Sequence, residues 1–427
     1  MKLVNKFIYK LNILFKERKS GFEFLLYNVS GNAFTFLLNL ILPFFLSADV
    51  YGFFALVFSI FNVGAAFFTF GLDSTIIKFS IESKFKNNTL LTCLVSWAIL
   101  AFLFYILLII PTYFITKYNL IELTFTSLTL ILLSSAFISI QRIILSYYIG
   151  TEATKKYGMI FILNKFIQFI IIFSMSLIVD NNQFSIILPY LFILQSVIVV
   201  SIILFKERKL IFKNRALQAY IYKTIKFTLP LSINTFGNLG YSYGFNVLIS
   251  PFLSLSQLGI LNIFTQLSSI ASMTINALNN GYIPRFYREY VLRQKGAVVN
   301  YFKYISQNSI PIVFVVFIIG LLYKYMTFET NNDYSYIALL IYCFGIFLYS
   351  FKSIGSNIMV INGETMKISM ITILTSVVNI TMGVVFTKLY GFWGSIISLS
   401  SGYIIQVIAF NIVSIRLCMP YMKSKDK

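Results

Sequence analysis

The sequence predicts an all-α polytopic membrane protein, with twelve transmembrane helices in two six-helix lobes related by a parallel repeat. Three observations predict it. Hydrophobic residues make up 58% of the 427 and charged residues only 11%, with a mean hydropathy of +0.83. Apolar runs of about 20 residues, the length that crosses a bilayer as a helix, recur along the whole chain. A basic stretch from Lys206 to Lys226 divides those runs into two sets of six. A soluble apolar core is excluded by this composition.

The elements follow in order. Residues 1–20 carry Lys2, Lys6, Lys10, Lys16, Arg18 and Lys19 between short apolar runs, which fits an interfacial cytoplasmic segment better than a cleavable signal. The first lobe, 21–205, holds spans at Phe22–Leu46, Tyr51–Ile77, Thr89–Ile115, Ile121–Ile149, Gly158–Val179 and Phe184–Phe205. The stretch 206–226 sets Leu210, Leu217, Ile221 and Ile225 at helical spacing among its cations, as in a helix lying in the membrane interface; a polar loop is the alternative reading. The second lobe, 227–417, holds spans at Phe227–Phe252, Leu258–Ile283, Tyr304–Met326, Tyr334–Ile361, Ile368–Phe386 and Phe392–Leu417, before a cytoplasmic tail, 418–427.

Lysine and arginine collect on the cytoplasmic side of a membrane protein. With both termini cytoplasmic, only Lys117, Lys324 and Lys388 of the 34 basic residues fall outside, where Asp49, Glu122, Asp180, Glu329 and Asp333 also lie. The same spread of cations over many short loops accounts for the net charge of +20 without nucleic acid. Cys93, Cys343 and Cys418 are odd in number and lack ligand spacing, so neither disulfides nor zinc are indicated. With no histidine and short outer loops, no catalytic constellation, metal site or cofactor is expected.

The two halves also repeat in sequence. A shift of 207 lays Phe45, Leu46, Ser47 and Gly52 on Phe252, Leu253, Ser254 and Gly259, Asn39 on Asn246, and Lys78, Phe79 and Glu82 on Arg285, Phe286 and Glu289. Six helices per copy return the chain to the same side, so the repeat is parallel, and transporters of this build bind between the halves. Polar stripes mark faces expected to line a cavity: Asn28, Asn32, Thr35 and Asn39 in the first span, and Asn234, Asn238, Ser242 and Asn246 in the seventh. Ser59, Asn62, Thr69 and Asp73 do so in the second, and Gln266, Ser269, Asn276 and Asn280 in the eighth. Each such residue taken alone is as well explained by hydrogen bonding between helices.

Ionised groups within spans are the sharper signal, because each costs a few kcal/mol or more in lipid unless it meets water, a partner or a ligand. Arg142, Lys165 and Lys352 stand inside spans near the cytoplasmic side, with Lys78 nearer a boundary, and Asp73 is the one acid well inside a span. Lys78 and Lys352 are also placed to snorkel to the interface. Arg142 and Lys165 lie deeper, and an inward-facing cationic site calls for an anion. Pro43, Pro251 and the series Gly237, Gly240 and Gly244 make the first and seventh spans candidate gates.

Tyr51-Gly52, the run Gly71-Leu72-Asp73-Ser74-Thr75-Ile76-Ile77-Lys78-Phe79, Asn362-Gly363-Glu364, Asn379 and Tyr390-Gly391-Phe392-Trp393-Gly394-Ser395 together resemble bacterial polysaccharide flippases of the O-antigen type. These belong to the multidrug and oligosaccharidyl-lipid exporter superfamily. The resemblance implies a V-shaped carrier in the plasma membrane that moves an undecaprenyl-pyrophosphate-linked sugar unit from the inner to the outer leaflet. It implies that Arg142, Lys165, Lys352 and Lys78 meet the pyrophosphate, with H+ or Na+ coupling at Asp73. Membrane lipids, and the polymerase and chain-length regulator of the same pathway, are the partners it implies. A multidrug antiporter of the same fold would need a buried acid, for which only Asp73 qualifies. A lipid II flippase would need two more helices and a set of arginines that this chain lacks.

Overall fold

The computed structural model describes residues 23, 26–81, 89–118, 123–212, 221–228, 232, 243–291, 296–327, 336–362 and 364–423, and among these it contains no strand. The interfacial segment 1–20, the centre of the basic stretch, Asn234, Asn238, Ser242, Gly237 and Gly240 lie outside the described residues. The chain forms two compact units, unit 1 of Met1–Phe45 and Phe61–Thr235, and unit 2 of Leu46–Ile60 and Phe236–Lys427.

In unit 1, helix α1 (26–41) runs into a 3-10 turn, Leu42–Phe44, that Pro43 opens. After α2 (Ala48–Thr69), whose first part belongs to unit 2, come α3 (Leu72–Ile81), α4 (Thr89–Lys117), α5 (Phe125–Gly150), α6 (Thr154–Ile178), α7 (Asn181–Phe212) and α8 (221–228). Helix α5 is the centre and packs on α3, α4, α6 and α7. Its close neighbours are met by small residues: Ser135 donates to the Phe61 carbonyl at 3.0 Å, and Ser139 accepts from the Trp97 indole at 2.7 Å. Helix α1 lies on α6 through Phe34 and Phe166, whose rings are 5.4 Å apart, and Thr75 of α3 is hydrogen-bonded to Thr228 of α8 at 2.8 Å.

Unit 2 contains α9 (Tyr243–Ile249), a 3-10 turn at Ser250–Phe252, α10 (Leu255–Val291), α11 (Ala297–Thr327), α12 (Tyr336–Tyr349), α13 (Lys352–Ile361) and α14 (Thr365–Lys423). Helix α14 packs along α9, α12 and α13, and α10 on α11 and α12. At one end of α10 a cluster forms around Phe286, Tyr301 and Ile358, tied by Asn357, which accepts from Tyr287 at 3.1 Å and donates to Tyr301 at 3.0 Å.

Nine helical stretches among the described residues are long and apolar enough to cross a membrane, and one of them, Met366–Arg416, holds two of the expected spans. The first and seventh spans are described only in part. Three details differ from the sequence expectation. The second span is broken at Phe70 and Gly71, with φ of 50° and 80°, and the tenth at Ser350 and Phe351. The eleventh and twelfth remain two helices, as the sequence divides them, meeting at a kink at Gly391, whose φ of 57° and ψ of −136° suit a residue without a Cβ. The fifth starts at Thr154, a turn before Gly158. The basic stretch begins as helix: α7 carries Lys206 through Phe212, because Glu207 turns inward to Tyr148 and lies 3.7 Å from Lys156 while Ile211 is buried.

The repeat survives in backbone positions. Helix α2 starts at Ala48 and α10 at Leu255, 207 residues on, and a proline-containing 3-10 turn precedes each. Within unit 2 the starts of these two helices cross at Gly52 and Gly259. A Cβ on Gly259 would sit 3.2 Å from the Gly52 nitrogen, and one on Gly52 would fall on the Leu255 carbonyl. Beside them Asn262 donates to the Tyr51 hydroxyl at 3.1 Å.

Overpacking of a close backbone contact costs about 1–3 kcal/mol. Gly52→Val is therefore expected to lower the thermal midpoint of the purified protein by several degrees, read by size-exclusion chromatography after heating. Gly296→Ala, where a Cβ meets nothing within 4 Å, is the control and pays only for its φ of 89°. Equal behaviour of the two variants would show that the crossing is not tight.

Candidate substrate-binding site

Each unit contains a polar interior built around a cation. In unit 1 the cations are Arg142 of α5 and Lys165 of α6, both half-buried, with the Arg142 charge close enough to repel that of Lys165. Amides stand next to them in sequence and on α7. Gln141, Asn164, Gln168 and Gln195 are all buried; Gln195 donates to Asn164 at 3.0 Å and Gln141 reaches the Ile160 carbonyl at 3.4 Å. Two amide atoms, Gln168 Nε2 and Gln195 Oε1, are buried with no partner. Such atoms cost free energy in a low-dielectric interior unless water or a ligand reaches them.

The polar stripe of the first span divides by role. Asn28 accepts from Tyr157 of α6 at 2.7 Å, and Asn39 donates to the Thr35 carbonyl of its own helix at 2.8 Å, so both take part in helix joining or capping. Asn32 is half-buried and Asn62 is buried. Asp73 leaves the stripe of α2 altogether, because the break at Phe70 and Gly71 puts it in the first turn of α3. There the helix dipole favours its charge. Its Oδ1 is buried without a partner. The side chain of Lys78 lies outside the described residues, as do those of Asn276 and Asn280.

In unit 2 the cation is Lys352, the first residue of α13, set inward by the break in the tenth span. Its ammonium donates to the Tyr349 hydroxyl at 3.2 Å and lies 5.1 Å from the ring centres of Tyr349 and Phe410. It opens on a groove made of two adjoining cavities of about 180 and 170 Å³, which share Ser272, Ile346 and Tyr349. Helix α10 lines it with Thr265, Gln266, Ser269 and Ser272, and the broken span adds Ser350, Ser353 and Ser356. Tyr403 of α14 closes one wall, its ring 4.8 Å from that of Tyr349, and Tyr342 donates to Ser268 behind it at 3.1 Å. Asn246, the repeat partner of Asn39, is 1% exposed with both amide atoms unpartnered.

Thus the structure brings Arg142 to Lys165 in unit 1, and Gln266 to the groove of Lys352 in unit 2. Sequence reasoning placed Ser269 at a cavity but missed the tyrosines and the other serines of that groove. The three-residue spacing of Ser350, Ser353 and Ser356 is the available signal, and it does not stand out because serine is common where membrane helices meet.

Comparison with known proteins follows the same lines. The family model described as polysaccharide biosynthesis protein matches residues 18–289. No curated protein matches the sequence. Among solved structures, an inward-facing multidrug resistance MATE family transporter of the MOP superfamily is similar with a TM-score of 0.68 and 15% identity, over 95% of this chain and 96% of that one. The lipid II flippase MurJ in an inward closed conformation is similar with a TM-score of 0.62 and 17% identity, over 91% and 87%. A MOP superfamily transporter from Pyrococcus furiosus, described as having a binding pocket of reverse polarity that suggests a different function, gives 0.60 and 16%, over 93% and 95%. The fold is that of MOP superfamily transporters.

A half-buried lysine beside a second cation is held for something other than stability. Lys165→Met is expected to raise the thermal midpoint of the purified protein by a few degrees, and Gln195→Leu to lower it by breaking the bond to Asn164. A fall in both would mean that Lys165 is a structural residue satisfied within unit 1.

Proposed function

Because the chain belongs to the polysaccharide biosynthesis protein family, we propose that it is a flippase moving undecaprenyl-pyrophosphate-linked oligosaccharide units from the cytoplasmic to the outer leaflet of the plasma membrane by alternating access. Both termini stand in the cytoplasm, and the product feeds a surface polysaccharide of the O-antigen or capsule type. The observation that carries this reading is the pair Arg142 and Lys165, two cations within repelling distance among buried amides. A pyrophosphate is an anion suited to two neighbouring cations, and charge-assisted hydrogen bonds are the strongest it can make. A carrier of cationic drugs would want the opposite sign. The MOP transporter from Pyrococcus furiosus, with its reversed pocket polarity, is a precedent within the fold for such a change.

Asp73, with its buried and unpartnered Oδ1, is the proposed site of a coupling ion, H+ or Na+. The membrane potential is a second source of drive. An inside-negative potential favours outward movement by about 2.3 kcal/mol per charge per 100 mV, so a head group of roughly two charges gains on the order of 4–5 kcal/mol if it crosses the whole field.

In proteoliposomes, transfer of a labelled undecaprenyl-pyrophosphate oligosaccharide out of the leaflet standing for the cytoplasm is expected to quicken under an inside-negative potential. The Arg142→Ala, Lys165→Ala double variant is expected to lose transfer while remaining folded, and Arg142→Lys to keep part of it. Full transfer by the double variant would overturn the assignment of the pair. A requirement for ATP with indifference to potential and ion gradients would overturn the mechanism.

A further inference from the structure

The unit 2 groove differs in chemistry from the amide-rich surroundings of Arg142 and Lys165. Most of its hydroxyls have spent their hydrogens. Thr265 donates to the Asn262 carbonyl, Ser272 to Ser269, Ser350 to Phe347, Ser353 to Ser350 and Ser356 to Ser353, all at 2.6–3.1 Å. A serine or threonine oxygen that donates backwards to its own helix still has lone pairs to offer. Apart from Lys352 and the Gln266 amide, the groove is therefore lined mainly by acceptors. Bare phosphate oxygens are acceptors too, and would find few free hydrogens among these hydroxyls.

What fits is a molecule rich in hydroxyl donors. Tyr349 and Tyr403 add aromatic surface, on which the C–H face of a pyranose can lie while its hydroxyls turn to the serines. Lys352 adds a requirement. An ammonium has three hydrogens to donate, and this one makes a single hydrogen bond, to Tyr349, with no carboxylate paired to it among the described residues. Its ring contacts with Tyr349 and Phe410 hold the charge without neutralising it.

We infer that this groove is a saccharide subsite for an acidic sugar, in which Lys352 takes the sugar's carboxylate and the serine oxygens of α10 and of the broken tenth span accept its hydroxyls. The inference rests on the reading that the cargo is a glycan-bearing lipid, and it assigns Lys352 to the glycan rather than to the pyrophosphate. The groove then acts as a selectivity filter on the sugar unit.

The test is binding to the full-length protein in nanodiscs. The probes are undecaprenyl pyrophosphate, the same lipid bearing a neutral disaccharide, and the same lipid bearing a matched disaccharide with one uronate. The expected result is a preference for the uronate probe of about tenfold or more, the scale of one charge-assisted hydrogen bond. Lys352→Gln should bring the two glycans to parity while binding of the sugar-free lipid persists, and Lys352→Arg should keep the preference. Equal binding of both glycans by the unaltered protein would overturn the subsite and leave the flippase reading standing. So would Lys352→Gln weakening the sugar-free lipid as much as the uronate probe. A lipid-free arm uses a uronate-containing tetrasaccharide and its neutral counterpart, followed by saturation-transfer NMR. Lys352-dependent binding of the uronate saccharide, with none of the three lipids bound, would support the subsite and overturn the flippase reading.

Discussion

Positive charge held inside a bilayer-spanning protein is the constraint on which the rest of the structure depends. Each such charge costs a few kcal/mol or more. Unit 1 buries the amides Gln141, Asn164, Gln168 and Gln195 on the helices that carry its cations and on α7, and unit 2 meets Lys352 with the hydroxyl of Tyr349 and the faces of two rings. Amides and rings attract a cation but do not remove its charge. Lys352 thereby keeps its charge with no carboxylate paired to it among the described residues.

Backbone breaks do much of the positioning. Lys352 is the first residue of α13 because α12 stops at Tyr349, and the amide of Ser350 is shared at 3.2 Å between the Ile346 and Phe347 carbonyls across the gap. Asp73 faces the interior from the first turn of α3 because α2 stops at Thr69. Irregular backbone at membrane depth survives only where protein or a cavity satisfies it. Its occurrence beside charged residues in both units links the two features physically.

The spans, their order and the repeat were legible in the sequence because lipid imposes one rule, apolar length, on every helix. The breaks were not. Ser350 and Phe351 have no proline or glycine to announce the gap, and the positive φ of Phe70 is set by packing against Phe68 and Phe104 rather than by residue type. The cations stood out in the sequence because charge in an apolar run is rare, and in the structure the Arg142 charge is felt at Lys165. The polar stripes were half legible: Asn28 and Asn39 prove to bond to Tyr157 and to the Thr35 carbonyl, a distinction that helical spacing cannot make. The hydroxyl groove was hidden because serine and tyrosine carry no charge and are common in membrane helices, so only the convergence of α10, α12, α13 and α14 reveals it.

The crossing of α2 and α10 at Gly52 and Gly259 pairs a residue with its own copy in the repeat. In an isologous assembly of two identical chains, only residues at the symmetry axis meet themselves. A self-pair inside one chain is the imprint of that geometry, and it points to descent from a symmetric dimer whose genes fused. The neighbouring hydrogen bond has no such twin: under the same shift Tyr51 and Asn262 correspond to Leu258 and Ala55, both apolar and buried. The glycines thus record the ancestral symmetry, and the Tyr51 to Asn262 bond marks where the copies diverged once each was free to change alone.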